Sequence, residues 1–199
     1  MPPDPASLII VHHPEPVLRQ RAKPVDAVTD HVRAVARRMI ELMAQAEGIG
    51  LAAPQVGLSW RLFVCHVPAN EERALGVEPQ QATPAPQVYI NPVLSDMSRD
   101  LVSYEEGCLS LPEIKGDVRR PSEITITALD LNGQRFTHRA TGLLARCWQH
   151  EVDHLDGVLI IDKMSQVHRM RNRLAIRALE KAGPQTPGRV TNPASAGAR

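Results

Sequence analysis

Two histidines four residues apart, with a glutamate beside the first, give His150-Glu151-Val152-Asp153-His154 more chemical potential than any other stretch of this 199-residue chain. On a helix, that spacing brings both imidazoles to one face, a turn apart, where they can share a metal ion. Glu151 then projects beside them, within reach of a water on the same ion, as a built-in general base. Such an ion needs a third protein ligand. Glu105-Glu106-Gly107-Cys108-Leu109-Ser110-Leu111-Pro112 offers one, because a cysteine between glycine and a short turn can present its sulfur and the following backbone N–H together. Cys108 is therefore a candidate ligand and Leu109 N–H a candidate oxyanion donor. Cys147 competes as the sulfur, but a single helix does not readily wrap three ligands from consecutive turns around a tetrahedral ion, so Cys108 is preferred.

A third stretch, Gly48-Ile49-Gly50-Leu51-Ala52-Ala53-Pro54-Gln55-Val56-Gly57, combines small residues with one amide. It lacks the Gly-Lys-Ser/Thr of a phosphate loop and the third glycine of a dinucleotide loop. It reads as a loop that accepts an extended peptide by backbone pairing, with Gln55 as an amide donor. A zinc endopeptidase could use the same histidines, but Ile160 occupies the place of a third metzincin histidine. Glu180, a conceivable downstream ligand, lies in a basic segment. His12 and His13 are adjacent on an extended segment and point to opposite sides, so they do not suit one ion.

The elements that must carry these groups follow from periodicity. Val32, Val35, Ala36, Met39, Ile40 and Met43 recur at helical spacing, which predicts an amphipathic helix from about 29 to 46, capped by Thr29 or Asp30 and ended by a left-handed Gly48. Strands are expected at 7–11, 60–67 and 88–94, and a closing strand at 157–161. In the second of these, Cys65 faces the core and His66 the other way. Asn132-Gly133 between two β-rich runs, 124–130 and 134–138, is a hairpin signal. Thr141 is expected to cap the metal-binding helix, which runs to about Leu155 with its ligand side facing the core. Residues 165–182 read as a single helix carrying His168, Arg169, Arg171, Arg173, Arg177 and Lys181 against only Glu180.

Composition limits the remaining possibilities. Aromatic residues make up 3% of the chain, so its core rests on aliphatic residues, and a formal charge of +1 demands neither nucleic acid nor an anionic membrane. Three cysteines suit a reducing compartment better than a disulfide framework. With no leader-like start and no membrane-length apolar run, the expected location is the cytoplasm. Residues 1–182 are expected to form a single domain, with 68–87 as a Pro-, Gln- and Ala-rich mobile surface loop and 183–199 as a disordered tail.

Together, Gly-Ile-Gly-Leu-Ala-Ala-Pro-Gln at 48–55, Glu-Gly-Cys-Leu-Ser at 106–110 and Gln-His-Glu-Val-Asp-His at 149–154 resemble, in order and spacing, the three motifs of peptide deformylases. The resemblance runs from about Leu8 to the basic helix; the loop at 68–87 and the tail after Gly183 depart from the compact family pattern. It implies an α+β fold, with antiparallel sheets around a central metal-binding helix, an additional helix in the N-terminal half and a C-terminal helix. It also implies removal of the N-formyl group from N-formylmethionyl nascent peptides. Carried over residue by residue, it makes Cys108, His150 and His154 the metal ligands and Glu151 the catalytic acid/base. Gln55 and Leu109 N–H become the oxyanion donors, Gly50 the backbone partner of substrate, and Ile49 a neighbour of the methionine pocket. The implied cofactor is one divalent ion, Fe2+ foremost, with Zn2+, Ni2+ or Co2+ as replacements. The basic helix at 165–182 becomes a candidate contact for the ribosome.

Overall fold

The structure, a computed structural model, describes residues 3–184; the expected tail from 185 onward lies outside the described residues. The periodic segment near the start forms α1, Asp30–Gln45, with the Thr29 side chain accepting a hydrogen bond from Val32 N–H. Its apolar stripe of Val32, Val35, Ala36, Met39 and Met43 is buried. The left-handed residue after it is Glu47, at φ 54°, and not Gly48. A β-carbon at Gly48 would lie 2.8 Å from Leu109 Cδ1, so a side chain there would push the end of Leu109 aside.

Five strands form one antiparallel sheet in the order β1 (Gly50–Ala52), β2 (Leu62–Cys65), β3 (Gln87–Ser95), β6 (Glu123–Leu129), β7 (Arg135–Thr141). The last two are the hairpin expected around Asn132-Gly133. A second, two-stranded antiparallel sheet pairs β4 (Leu101–Cys108) with β5 (Leu111–Pro121). Helix α2, Gly142–Leu155, carries the HExxH residues and packs on the larger sheet, with Leu144, Trp148 and Leu155 sharing a core with Phe63, Tyr89 and Ile126. The α+β architecture around a metal-site helix is therefore present.

Several local expectations are corrected. Residues 7–11 form no strand. Instead, Val11 N–H donates to the Gln55 carbonyl at 2.8 Å and His13 N–H to the Ser110 carbonyl at 2.9 Å, single bonds made to two different loops. The stretch 157–161 is not a strand either: Gly157 turns the chain and α3, Ile160–Lys163, follows, with Asp162 accepting from Leu159 N–H at 2.9 Å. One helical turn is enough to bury Leu159, Ile160 and Ile161 with Leu18 and Ile114. The basic helix is two helices, α4 (Gln166–Arg171) and α5 (Arg173–Ala182). Asn172 stands between them and donates through its amide to the Lys115 carbonyl at 2.7 Å. Thr141 precedes α2 without capping it; its hydroxyl goes to the Ser122 carbonyl.

The segment 68–87 is tied to its surroundings at specific points. Gln80 N–H donates to Arg139 O, Thr141 N–H donates to Gln80 O, and the buried Thr83 hydroxyl accepts from Val67 N–H. No helix among the described residues is long and apolar enough to cross a membrane.

Candidate metal centre

Helix α2 presents His150, Glu151 and His154 towards the end of β4, where Cys108 is the last strand residue before the Leu109-Ser110 turn. One ligand atom from each of Cys108, His150 and His154 falls within 4.8 Å of the others, and Cys108 Sγ lies 3.2 Å from His154 Nε2. Metal–sulfur and metal–nitrogen bonds of about 2.3 and 2.0 Å at tetrahedral angles would put such a pair roughly 3.5 Å apart. One thiolate and two imidazoles are thus spaced to hold a divalent first-row ion while leaving a fourth position for solvent or substrate.

The supporting contacts agree with that reading. His150 Nδ1 is 3.0 Å from Glu106 Oε2, which fixes the ring and leaves Nε2 as the atom available to an ion. Burial disfavours the His150 cation, yet hydrogen bonding to Cys108 and Glu106 holds its pKa well above the ordinary value. His154 is shifted the opposite way, well below its ordinary value, by burial and then by the neighbouring His150 charge. Two facing imidazoles with opposed shifts, beside a thiol, form a set in which a metal ion can replace a proton.

Glu151 lies in the buried wall of the site, and burial pushes its carboxyl up to about 7. Among the described residues its Oε2 has no hydrogen-bond partner. Gly50, the first residue of β1, leaves the room this carboxylate occupies: a β-carbon there would lie 2.3 Å from Glu151 Oε1 and 2.8 Å from Cys147 Sγ. Gln55 sits in a short 3-10 turn, Ala53–Val56, where its Oε1 accepts from Ala52 N–H at 2.8 Å. That bond orients the amide so that Nε2 faces Cys108 Sγ, at 3.6 Å. Ile49, Gly50, Gln55, Cys108, Leu109, His150 and Glu151 all line one cavity of about 510 Å³. Cys147 lines it too, but its thiol is engaged elsewhere, 3.3 Å from Cys65 Sγ and 3.4 Å from the Ile49 carbonyl. The Cys65 contact and burial keep Cys147 protonated, with its pKa well above the ordinary thiol value.

The sequence reading missed the charged cluster behind His150. Glu106 takes hydrogen bonds from Arg120 Nε (2.6 Å) and Nη2 (2.8 Å) and from Arg146 Nη1 (2.7 Å), in addition to its contact with His150. Arg120 Nη1 reaches Asp153 Oδ2 at 2.7 Å, and Lys163 closes the chain on the other oxygen of Asp153. Burial would raise the Glu106 pKa, but the hydrogen bonds from Arg120 and His150 outweigh it and hold the carboxyl well below the usual range. The available signals were Asp153 inside the HExxH string and Arg120 at a position of β5 whose neighbours in the alternation, Val118 and Gly116, point inward.

Residues 7–170 match the family model for polypeptide deformylase. Peptide deformylase 2 of Gloeobacter violaceus is 48% identical over 148 residues, covering 74% of either chain. The peptide deformylase of Psychrobacter arcticus is 38% identical over 194 residues, 96% of this chain and 99% of that one. Among solved structures, the peptide deformylase of Plasmodium falciparum is similar with a TM-score of 0.76 and 37% identity, over 87% of this chain and 96% of that one.

Proposed function

Because the chain belongs to the polypeptide deformylase family, we propose that it hydrolyses the N-formyl group of N-formylmethionyl nascent peptides, releasing formate and a free amino terminus, with Cys108, His150 and His154 holding the single divalent ion required. The observation that carries this reading is that Cys108, His150, Glu151 and Gln55 line one cavity, with His154 close enough behind them to complete the ligand trio. An ion held there would polarise the formyl oxygen and acidify a water enough to lose its proton near neutral pH. We assign Fe2+ as the native ion on the resemblance to the deformylase motifs, with Zn2+, Ni2+ or Co2+ as replacements that the same donor set suits.

The chain's own residues divide the remaining work. Glu151, unpartnered at Oε2 among the described residues and with a carboxyl pushed to about 7, takes the proton of the attacking water and returns it to the departing amine nitrogen. The Gln55 amide, oriented by Ala52, and Leu109 N–H, in the turn after Cys108, donate to the oxygen on which negative charge develops. Gly50, at the start of β1, pairs with the substrate backbone, and Ile49 borders the pocket for the methionine side chain. A formyl hydrogen fits where a bulkier acyl group would collide.

Residues 1–182 act as one catalytic unit in this reading, working in the cytoplasm. The arginines of α4 and α5 face outward beside exposed Val167, Met170 and Leu174, which supports a salt-sensitive contact with the ribosome.

The test is formate release from formyl-Met-Ala-Ser by protein purified anaerobically, with elemental analysis of the same sample. Glu151→Ala is expected to keep its metal and to lose ~10²-fold or more in kcat, as for removal of a general base. Turnover retained near the wild-type level would reject the role of Glu151.

A further inference from the structure

Cys65 and Cys147 play no part in the mechanism above, yet they meet at its centre. Cys65, on β2, is the register partner of Gly50, and Cys147, on α2, fills the space that a Gly50 side chain would need. Their sulfurs are 3.3 Å apart, and the Cys147 thiol also donates to the Ile49 carbonyl at 3.4 Å. The two positions lie 82 residues apart in the chain and on different elements. Cys65 is wholly buried, whereas Cys147 lines the cavity from which substrate would enter. Cys147, itself only 4% exposed, is the one of the two in the cavity wall, and Cys65 lies outside that wall.

We propose that Cys65 and Cys147 are a reversible dithiol–disulfide pair that responds to hydroperoxides and fastens α2 to β2 beneath the substrate-pairing strand. The chemistry balances in two steps. A hydroperoxide ROOH transfers one oxygen to the Cys147 sulfur, giving a sulfenic acid and ROH as the O–O bond breaks. Cys65 sulfur then attacks that sulfur, forming the S–S bond and releasing water, so that two thiols lose two hydrogens and two electrons while the peroxide is reduced. Added thiol reverses the reaction by exchange. Because the Cys65 contact and burial raise the pKa of the attacking Cys147 thiol, the link forms slowly, under sustained rather than brief exposure. In a reducing compartment it is a transient state, not a structural staple.

Oxidation has a local consequence. A sulfur drawn into a bond with Cys65 can no longer donate to Ile49 O, so the Ile49-Gly50 edge loses one of its anchors. On the deformylase reading, which this part of the proposal rests on, that edge binds the substrate backbone, and KM for formyl-Met-Ala-Ser rises by roughly threefold to tenfold, the effect of one lost hydrogen bond.

The test uses the full chain loaded with zinc, which has no redox chemistry of its own. The protein is held in hydrogen peroxide for hours and then digested without reduction. A peptide containing Cys65 linked to one containing Cys147, absent after dithiothreitol and absent from Cys65→Val, is the expected result. Recovery of Cys147 as a free thiol or as a sulfonic acid, or a Cys147 link that persists in Cys65→Val, would overturn the pair. Because the mapping is chemical, it stands whether or not the protein deformylates peptides. KM measured on the same samples adds the functional arm: a protein that turns over formyl-Met-Ala-Ser and forms the link with no change in KM removes the proposed effect on substrate binding.

Discussion

At the scale of single residues, Gly50 and Glu106 decide most. Gly50 is constrained by what occupies the place of its missing side chain, the Glu151 carboxylate and the Cys147 sulfur. Gly50→Ala is expected to displace the carboxylate, lowering kcat on formyl-Met-Ala-Ser by ~10²-fold, the scale of an ångström-level misplacement, with metal content unchanged. Steady-state kinetics with elemental analysis checks it. Glu106 is the hub of a buried cluster, and truncation to alanine removes the acceptor of Arg120 Nε and Nη2 and of Arg146 Nη1, leaving Arg120 only its pair with Asp153, so Glu106→Ala is expected to cost about 3 kcal/mol. The pH dependence follows from the sign of its shift. Its folded pKa is depressed, so its contribution is complete above the ordinary carboxylate value of 4.5 and is lost as pH falls through the lower folded value. Urea unfolding of wild type and variant at pH 7 and at pH 3 should show the gap narrowing in acid. The sequence revealed His150, Glu151 and His154 because their relation is local, four residues on one helix. Glu106 meets Arg120 only through a hairpin and meets His150 only through packing of two elements, and no short-range pattern encodes either meeting.

At the scale of elements, α1, α2 and the β6–β7 hairpin were legible because each carries a period or a turn signal of its own. Strand β4 was not: residues 101–105 are exposed on both faces, so Leu101-Val102-Ser103-Tyr104-Glu105 shows no alternation to read. The short α3 was mistaken for a strand because a run of four apolar residues, 158–161, fits either structure. The division of the basic segment into α4 and α5 depends on one amide, Asn172, finding a carbonyl on β5. This pins the inner face of α5, where Ala175, Ile176 and Leu179 cover Leu111 and Ile114, and leaves Arg173 and Arg177 outward. The double variant Arg173→Glu, Arg177→Glu should therefore keep tripeptide deformylation while weakening ribosome association and flattening its salt dependence. Cosedimentation over a salt series measures this.

At the scale of the whole molecule, the proposed ion joins parts that share no hydrogen-bonded ladder: Cys108 from the two-stranded sheet, and two histidines from the helix packed on the five-stranded sheet. Binding to the folded state alone stabilises it by about 2.7 kcal/mol at a hundredfold excess over Kd. Removing the ion with a chelator should abolish formate release and lower Tm, and re-addition should restore both. Scanning calorimetry with and without chelator, followed by assay, is the measurement. Metal uptake should also weaken as pH falls, because the ion competes with the proton that Cys108 and Glu106 help to hold on His150.

The bonds from Val11 to the Gln55 carbonyl and from His13 to the Ser110 carbonyl give the molecule a pair of built-in reporters. Each amide is protected from solvent deuterium only while a particular loop is seated, one carrying the candidate oxyanion donor and the other the candidate sulfur ligand. Their exchange rates, read side by side, separate loosening of the glutamine loop from loosening of the cysteine turn, and do so from a segment that contributes no side chain to the chemistry.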